Sequence, residues 1–441
     1  MKIQFIKDFI FKQFGDIKTY GIQELFRKFR LLTKFLIKIP IYFLAFFPCI
    51  IIRLMSPWII IRIEKAPSSN FGNFCFSLGV YYIKKKLKIN QPKKKHLDLL
   101  YISQNDKIYN KQLAKMWKRK IKFLPGYFLE PIHLINRLIP GWKIHTIKIL
   151  STELEKDVDN LNEKCLPLDF TQEEERYGKE MLKKFGLNDG DKFVCLQARD
   201  SAYQLKKFSP RFRDWSYHDH RNYNIDDFVM AAESLAERGY YVFRMGVVVE
   251  KPLNTKNTKI IDYANTQLRS DFMDIYLGAK CSFSVSTESG FYDLPYLFRK
   301  PVALIHLPVG RFPTYSDKFL LITKRHVLKK EKKELSLSEI FSHELAYECD
   351  ARNFEKKGVK LIDFAPADIK DLALEMADIV ESKNRPNLEN EELQNKFKSL
   401  LALNIKKHSQ QKHEDIPKLH AKKIKSRFSS KFLRENKNWL R

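Results

Sequence analysis

From Lys192 to Leu307 the chain repeats one alternation, and it narrows the fold more than any other feature. Short apolar runs, "KFVCLQA", "YYVFRMG", "TKIIDY", "CSFSVS" and "PVALIHL", are separated by amphipathic segments such as "NIDDFVMAAESLAERG" and "SDFMDIYLGAK". Apolar runs of strand length suit strands buried on both faces, which means a parallel sheet with crossover helices above and below it. "PADIKDLALEMADIVESK" supplies a closing helix. In open sheets of this kind ligands bind beyond the carboxyl ends of the strands. The polar residues at those ends are therefore the candidates for chemistry.

A chain of 441 residues exceeds one ordinary core, so the alternation describes only part of it. Ahead of it, "WIIIRIEK" reads as a strand, "SSNFGNFCFSLGVYYIKKK" as a turn into a helix, "HLDLLYIS" as a second strand and "IKFLP" as a third. The expected organisation is a basic, hydrophobic membrane-associating segment over 1–55 and a Rossmann-like acceptor domain over 56–165. A Rossmann-like nucleotide-sugar donor domain follows over 166–385, then a basic helical or disordered tail over 386–441. The fold class is thus α/β, two Rossmann-like domains facing a cleft.

The formal charge of +28 calls for an anionic partner or surface. At the N-terminus, Lys and Arg alternate with Phe, as in helices that lie in a membrane interface. The uncharged stretch from Ile39 to Ile52 is too short to span a bilayer, and Arg53 with Pro40, Pro48 and Pro57 further disfavours a straight span. A segment lying on the anionic cytoplasmic face of the inner membrane is expected, with no cleaved signal peptide. The six cysteines form no CxxC pair or zinc spacing and read as reduced thiols, so no metal is expected.

At the strand ends, "VCLQARDSAYQ" closes on Arg199 and Asp200. A long connection follows that carries His218 and Asp219. Arg244 and Gly246 close the second strand, and Asp262 and Tyr263 the third. The fourth ends in "STESGFYD", which places Ser286, Thr287, Ser289 and Gly290 at an expected helix N-terminus, an anion site, with Asp293 one turn on. Arg269 flanks a helix cap. Two arginines and a helix end suit a nucleoside diphosphate. The chain contains neither GxxxxGK[ST] nor a post-strand GxGxxG, which disfavours a P-loop nucleotidase and a dinucleotide enzyme.

The ordered set "CLQARDSAY", "WSYHDHRN", "GYYVFRMG", "LRSDFMDIYLGAKCSFSVSTESG" and "PYLFRKPVALIHLP" resembles bacterial surface-polysaccharide glycosyltransferases of the GT-B type. The donor domain is similar to those of heptosyltransferase-like and fucosyltransferase-like enzymes. The resemblance implies transfer of a sugar from a nucleotide-diphosphate sugar to a glycan or lipid-linked acceptor, without a metal or other cofactor. It implies that Arg199 binds the donor pyrophosphate, with Gln197 standing where the family pattern has histidine, and that Ser286, Ser289 and Gly290 form the donor-phosphate loop. The donor set is completed by Arg244, Gly246, Asp262, Tyr263, Arg269, Thr287 and Asp293. Asp219 is the first candidate for the base, with His218 and Asp200 beside it. Ser69, Asn70, Gly72 and Asn73 are assigned to the acceptor. A sugar-nucleotide-binding scaffold without catalysis is the alternative. A nucleic-acid-binding protein is the other, although no nucleic-acid motif accompanies the charge.

Overall fold

The computed structural model describes residues 21–149, 166–207, 216–382, 388–408 and 424–441. The first 20 residues, most of the linker before Leu166, the middle of the long connection after Asp200 and part of the basic tail lie outside these ranges. The chain opens with α1 (Ile22–Leu54), β1 (Ile60–Lys65), α2 (Phe71–Lys86), β2 (His96–Tyr101), α3 (Lys111–Lys120) and α4 (Gly126–Leu138). It continues with α5 (Gln172–Lys184), β3 (Phe193–Gln197), α6 (Ala202–Lys207), α7 (Val229–Glu237), β4 (Tyr241–Arg244) and β5 (Ile260–Ile261). Then come α8 (Asp271–Lys280), β6 (Phe283–Thr287), α9 (Asp293–Leu297), β7 (Val302–Ile305), β8 (Phe319–Ile322), β9 (Arg325–Leu328) and β10 (Lys333–Glu334). The last elements are α10 (Leu337–Ser342), α11 (Ala351–Lys356), β11 (Val359–Ile362), α12 (Pro366–Val380), α13 (Leu388–Lys407), β12 (Arg427–Phe428) and α14 (Ser430–Glu435).

Two compact units result. Among the described residues, the smaller comprises 21–66, 92–105 and 122–148, and the larger the others. The expected boundary near 165 is therefore not where the chain divides, because α2 and α3 belong to the larger unit. In the smaller unit β1 and β2 pair in parallel, and Phe123 adds only a single bridge to Leu100. This sheet is much smaller than the acceptor domain expected from sequence. Arg62 and Asp98 face each other in register and form a buried two-pronged ion pair at 2.6 and 2.9 Å. Helix α1 packs on α4 through Ala45 and Cys49 against Leu129 and Ile132. It is continuous through Pro40 and Pro48.

The larger unit is built on a seven-stranded parallel sheet of order β12-β8-β7-β6-β3-β4-β5. Alternation within β3 shows why its run is apolar throughout. Val194 and Leu196 join the core beneath α7 and α12, whereas Phe193 and Cys195 join a second core with Met181 of α5 and Leu277 of α8. The order reverses between β3 and β6, since β4 and β5 are added on one side and β7 and β8 on the other. The crevice at the carboxyl ends of β3 and β6 is therefore the favoured ligand position.

The last segment corrects an expectation. Arg427 and Phe428 of the basic tail form the edge strand β12 beside β8, and Trp439 and Leu440 are buried in the main core. Residues 424–441 pack within the larger unit, with only Arg427 and Phe428 in its sheet.

Candidate functional site

A cavity of about 390 Å³ opens at that crevice, entirely within the larger unit. Its volume falls in the range of small-molecule sites. The end of β3 contributes Gln197, Arg199 and Asp200, the loop after β4 contributes Met245 to Val249, and the turn after β6 contributes Ser289, Gly290 and Phe291. Ser69, Asn70 and Phe71 come from the start of α2, and the remaining wall includes Tyr109, Tyr203, Gln204, His218, Arg221 and Asp274.

Arg199 leaves the strand with its backbone N–H donating to Thr287 Oγ1 at 2.8 Å, which ties β3 to β6. Its guanidinium, in a residue only 9% exposed, donates to Asn222 Oδ1, to Gln204 Oε1 at 2.7 Å and to the His218 carbonyl at 3.4 Å. These bonds hold the two ends of the long connection on the cavity wall. Burial, with the Arg221 cation nearby, lowers the Arg199 pKa to about 10, partly offset by Glu288, Asp219 and Asp200. Arg221 donates to the Glu288 carbonyl at 3.0 Å and pairs with its carboxylate at 3.3 Å. Two guanidinium groups thus line one buried wall, an arrangement that a bridging anion relieves.

The expected residues divide into three groups. Arg199, Asp200, His218, Gly246, Ser289, Gly290, Ser69 and Asn70 line the cavity. Asp200, however, is occupied structurally: its two carboxylate oxygens accept the N–H groups of Ala202 at 3.1 Å and Glu250 at 3.0 Å. Asn70 caps α2 by accepting from Asn73 N–H at 3.2 Å, so Asn73 serves the helix end. Arg269, Thr287 and Ser286 act from behind the wall. Arg269 donates to the Gly246 carbonyl at 3.1 Å and to Asp274 at 2.6 Å, while Ser286 is fully buried in β6.

The third group lies off the cavity. Arg244 is the last residue of β4, and its side chain is buried against Asp262 at 3.0 Å and the Lys251 carbonyl at 3.2 Å. Asp262 also accepts from Leu253 N–H at 2.9 Å, so this pair fixes a loop. Tyr263 is fully buried in the core, its hydroxyl 3.0 Å from Asp274 Oδ1. Asp219 is exposed and accepts from Asn222 at 3.0 Å. Asp293 and Gly72 pack together: a Cβ on Gly72 would sit 2.6 Å from Asp293 Oδ2 and 2.9 Å from Gly290 Cα. That close backbone approach is what requires glycine at 72 and 290.

The helix end also differs from expectation. After β6 the helix begins only at Asp293 and runs five residues, and in the preceding turn Glu288 N–H donates to the Ile305 carbonyl. Ser289 Oγ donates to Gln197 Oε1 at 2.8 Å and accepts from Phe291 N–H at 3.2 Å. The longer helix that begins at the cavity is α2, a 16-residue helix from the first part of the chain.

Sequence reasoning named Arg221 only as part of the long connection and passed over Tyr109, Tyr203, Gln204 and Asp274. Phe71, Tyr109 and Tyr203 form an aromatic wall, with ring centroids 5.0 and 5.5 Å apart. Asp274 lies in the first turn of α8, where its pKa is raised to about 6 by burial, against the opposing effects of Arg269 and Tyr263. A carboxyl whose folded pKa exceeds its ordinary value keeps its proton in the native state over pH 4–6. Stability from this group therefore falls as pH rises through that window. Relative to Asp274→Asn, the native protein is expected to lose on the order of 1–3 kcal/mol between pH 4 and 7. Parallel denaturation curves for the two proteins would refute a raised pKa.

No protein-family model matches the chain, and no curated protein matches it in sequence. Three solved structures similar to it are glycosyltransferases. One is a glycosyl transferase family 9 protein from Veillonella parvula, with 11% identity, a TM-score of 0.42 and coverage of 74% of this chain and 99% of that one. Another is the E. coli ADP-heptose lipopolysaccharide heptosyltransferase II, with 12% identity, a TM-score of 0.40 and coverage of 73% and 99%. The third is the E. coli dodecameric iron-containing heptosyltransferase TibC in complex with ADP-D-β-D-heptose, with 12% identity, a TM-score of 0.29 and coverage of 58% and 61%. The roles of individual residues rest on the cavity itself.

Proposed function

We propose that the protein is a glycosyltransferase that moves a sugar from a nucleoside-diphosphate donor to a hydroxyl of a glycan or lipid-linked acceptor. The observation that carries this reading is the convergence of Arg199 and Arg221 on one cavity wall at the β3/β6 switch point. When the sugar–phosphate bond breaks, negative charge grows on the leaving diphosphate. Cations and hydroxyl donors already fixed around it lower that barrier without reorganising. Arg199 and Arg221 fill this role, and the apolar stretch Met245–Val249 forms a surface for the nucleobase. The acceptor hydroxyl must lose a proton, and Asp219 lies off the cavity. Asp274 is held through both carboxylate oxygens by Tyr263 and Arg269, so His218, which lines the cavity, is the candidate for the base.

The test is a thermal-shift series with UDP, GDP, CDP and ADP, followed by sugar release from the matching sugar nucleotide with a glycan acceptor. One nucleoside diphosphate is expected to raise the melting temperature, since a ligand at a hundred times its Kd contributes about 2.7 kcal/mol to the native state. A shift without sugar release would indicate a binding scaffold. No shift with any of the four would remove nucleotide binding from the cavity.

A further inference from the structure

We infer that the smaller unit docks on an anionic lipid bilayer through an apolar face shared by α1 and α4. In a soluble protein the large apolar side chains of a helix pair turn inward, and contiguous apolar exposure marks an interaction surface. Here the buried seam between α1 and α4 is narrow, and large side chains remain outside it on both helices. On α1 and just after it, Phe43, Leu44, Phe47 and Trp58 are 69, 64, 55 and 76% exposed. On α4, Tyr127, Phe128 and Leu138 stay similarly uncovered. The helices come from segments about 80 residues apart in the chain, and Arg53 clamps them together by donating to the Pro140 carbonyl at 2.7 Å and Asn136 Oδ1 at 2.8 Å.

Charge identifies the partner. Every charged residue between Leu25 and Ile63 is Lys or Arg, as is every one between Pro131 and Ile149. The two helices hold one acid each, Glu24, which is buried, and Glu130, against several cations. Apolar surface with such a predominantly cationic margin complements acidic headgroups over a hydrocarbon layer, as on the cytoplasmic leaflet. Trp58 and Tyr127 have the amphipathic rings that settle at the headgroup level. Crossing the bilayer is a different matter. Among the described residues no helix is long and apolar enough, and the uncharged run 39–52 reaches only about 21 Å of the roughly 30 Å needed. The face therefore lies in the interface. There it would bring the protein to acceptors carried on lipid, although the inference itself does not depend on the transferase reading.

Cosedimentation of the full-length protein with phosphatidylcholine vesicles, with and without phosphatidylglycerol, tests it. The protein is expected to pellet with the anionic vesicles, and less so at high salt. Two independent pairs of exposed positions probe the face, Phe43→Ser with Phe47→Ser on α1 and Phe128→Ser with Leu138→Ser on α4. Each pair is expected to reduce partitioning at least tenfold, given the roughly 1.5–3 kcal/mol gained by burying one such side chain. Nucleotide-induced thermal shifts should be retained in both. Three results would overturn the inference: native protein that stays in the supernatant, an α4 pair that binds as the native protein does, or a face that instead supports self-association abolished by the same substitutions.

Discussion

Deleting residues 424–441 is expected to leave no soluble folded protein, and Trp439→Ala alone should cost about 3–5 kcal/mol. The segment looks dispensable by composition, yet it completes the sheet. Phe428 pairs through its backbone with Leu321, stacks its ring on Trp439 at 5.0 Å, and meets Phe397 at a tilt and Phe432 edge-on at 4.8 and 5.3 Å. Gln394 locks the same residue by donating to its carbonyl at 2.6 Å and accepting its N–H at 3.0 Å. Glu375 accepts the Ser430 N–H at 3.0 Å. Without the segment, the buried faces of β8 and α13 would meet water, and β8 would become an open edge prone to aggregation. Total stabilities of domains lie around 5–15 kcal/mol, so losing several such side chains exceeds what the fold can absorb. Denaturation midpoints of Trp439→Ala and solubility of the truncation check this. A soluble truncation that melts like the full chain would show that the tail is peripheral after all.

The contrast between this strand and β3 explains what was legible in the sequence. Phe193–Gln197 is apolar because both its faces are buried, and a run of that kind can be recognised locally. Arg427–Phe428 contributes two residues to an edge, so its apolar partners, Leu433, Trp439 and Leu440, are spread over a Lys-rich stretch with no periodicity. The same distinction governs the site. Arg199, Gly246, Ser289 and Gly290 could be placed because a parallel sheet gathers its strand ends along one edge. Arg244 misled because, as the last residue of β4, it still belongs to the strand. Alternation there sends its side chain toward Asp262, whereas Arg199 stands beyond the strand end and reaches the cavity. Tyr109 and Asp274 come from the loop before α3 and the first turn of α8. Their approach to the cavity depends on packing between helices distant in sequence, which no local pattern encodes.

Arg199→Ala is expected to weaken nucleoside diphosphate binding about 30- to 5,000-fold, the 2–5 kcal/mol typical of removing one partner from a buried charge contact. Arg199→Lys should fall between, since an ammonium keeps the charge but loses the planar fork that grips two phosphate oxygens. Stability should respond far less than binding. Burial and Arg221 hold the Arg199 pKa at about 10, below its ordinary value, so the protonated form is disfavoured by folding. That cost is present below pH 10 and is relieved as pH rises above it, opposite to a stabilising ion pair. A diphosphate between the two guanidinium groups offsets the cost, so part of that offset appears as ligand affinity. Arg199 keeps its proton from about pH 7 to 9, so binding should be steady over that range. Calorimetric titration of the native protein and both variants against the diphosphate chosen by thermal shift gives the comparison. Native-like affinity in Arg199→Ala, with unchanged pH dependence, would assign the anion to another wall of the cavity.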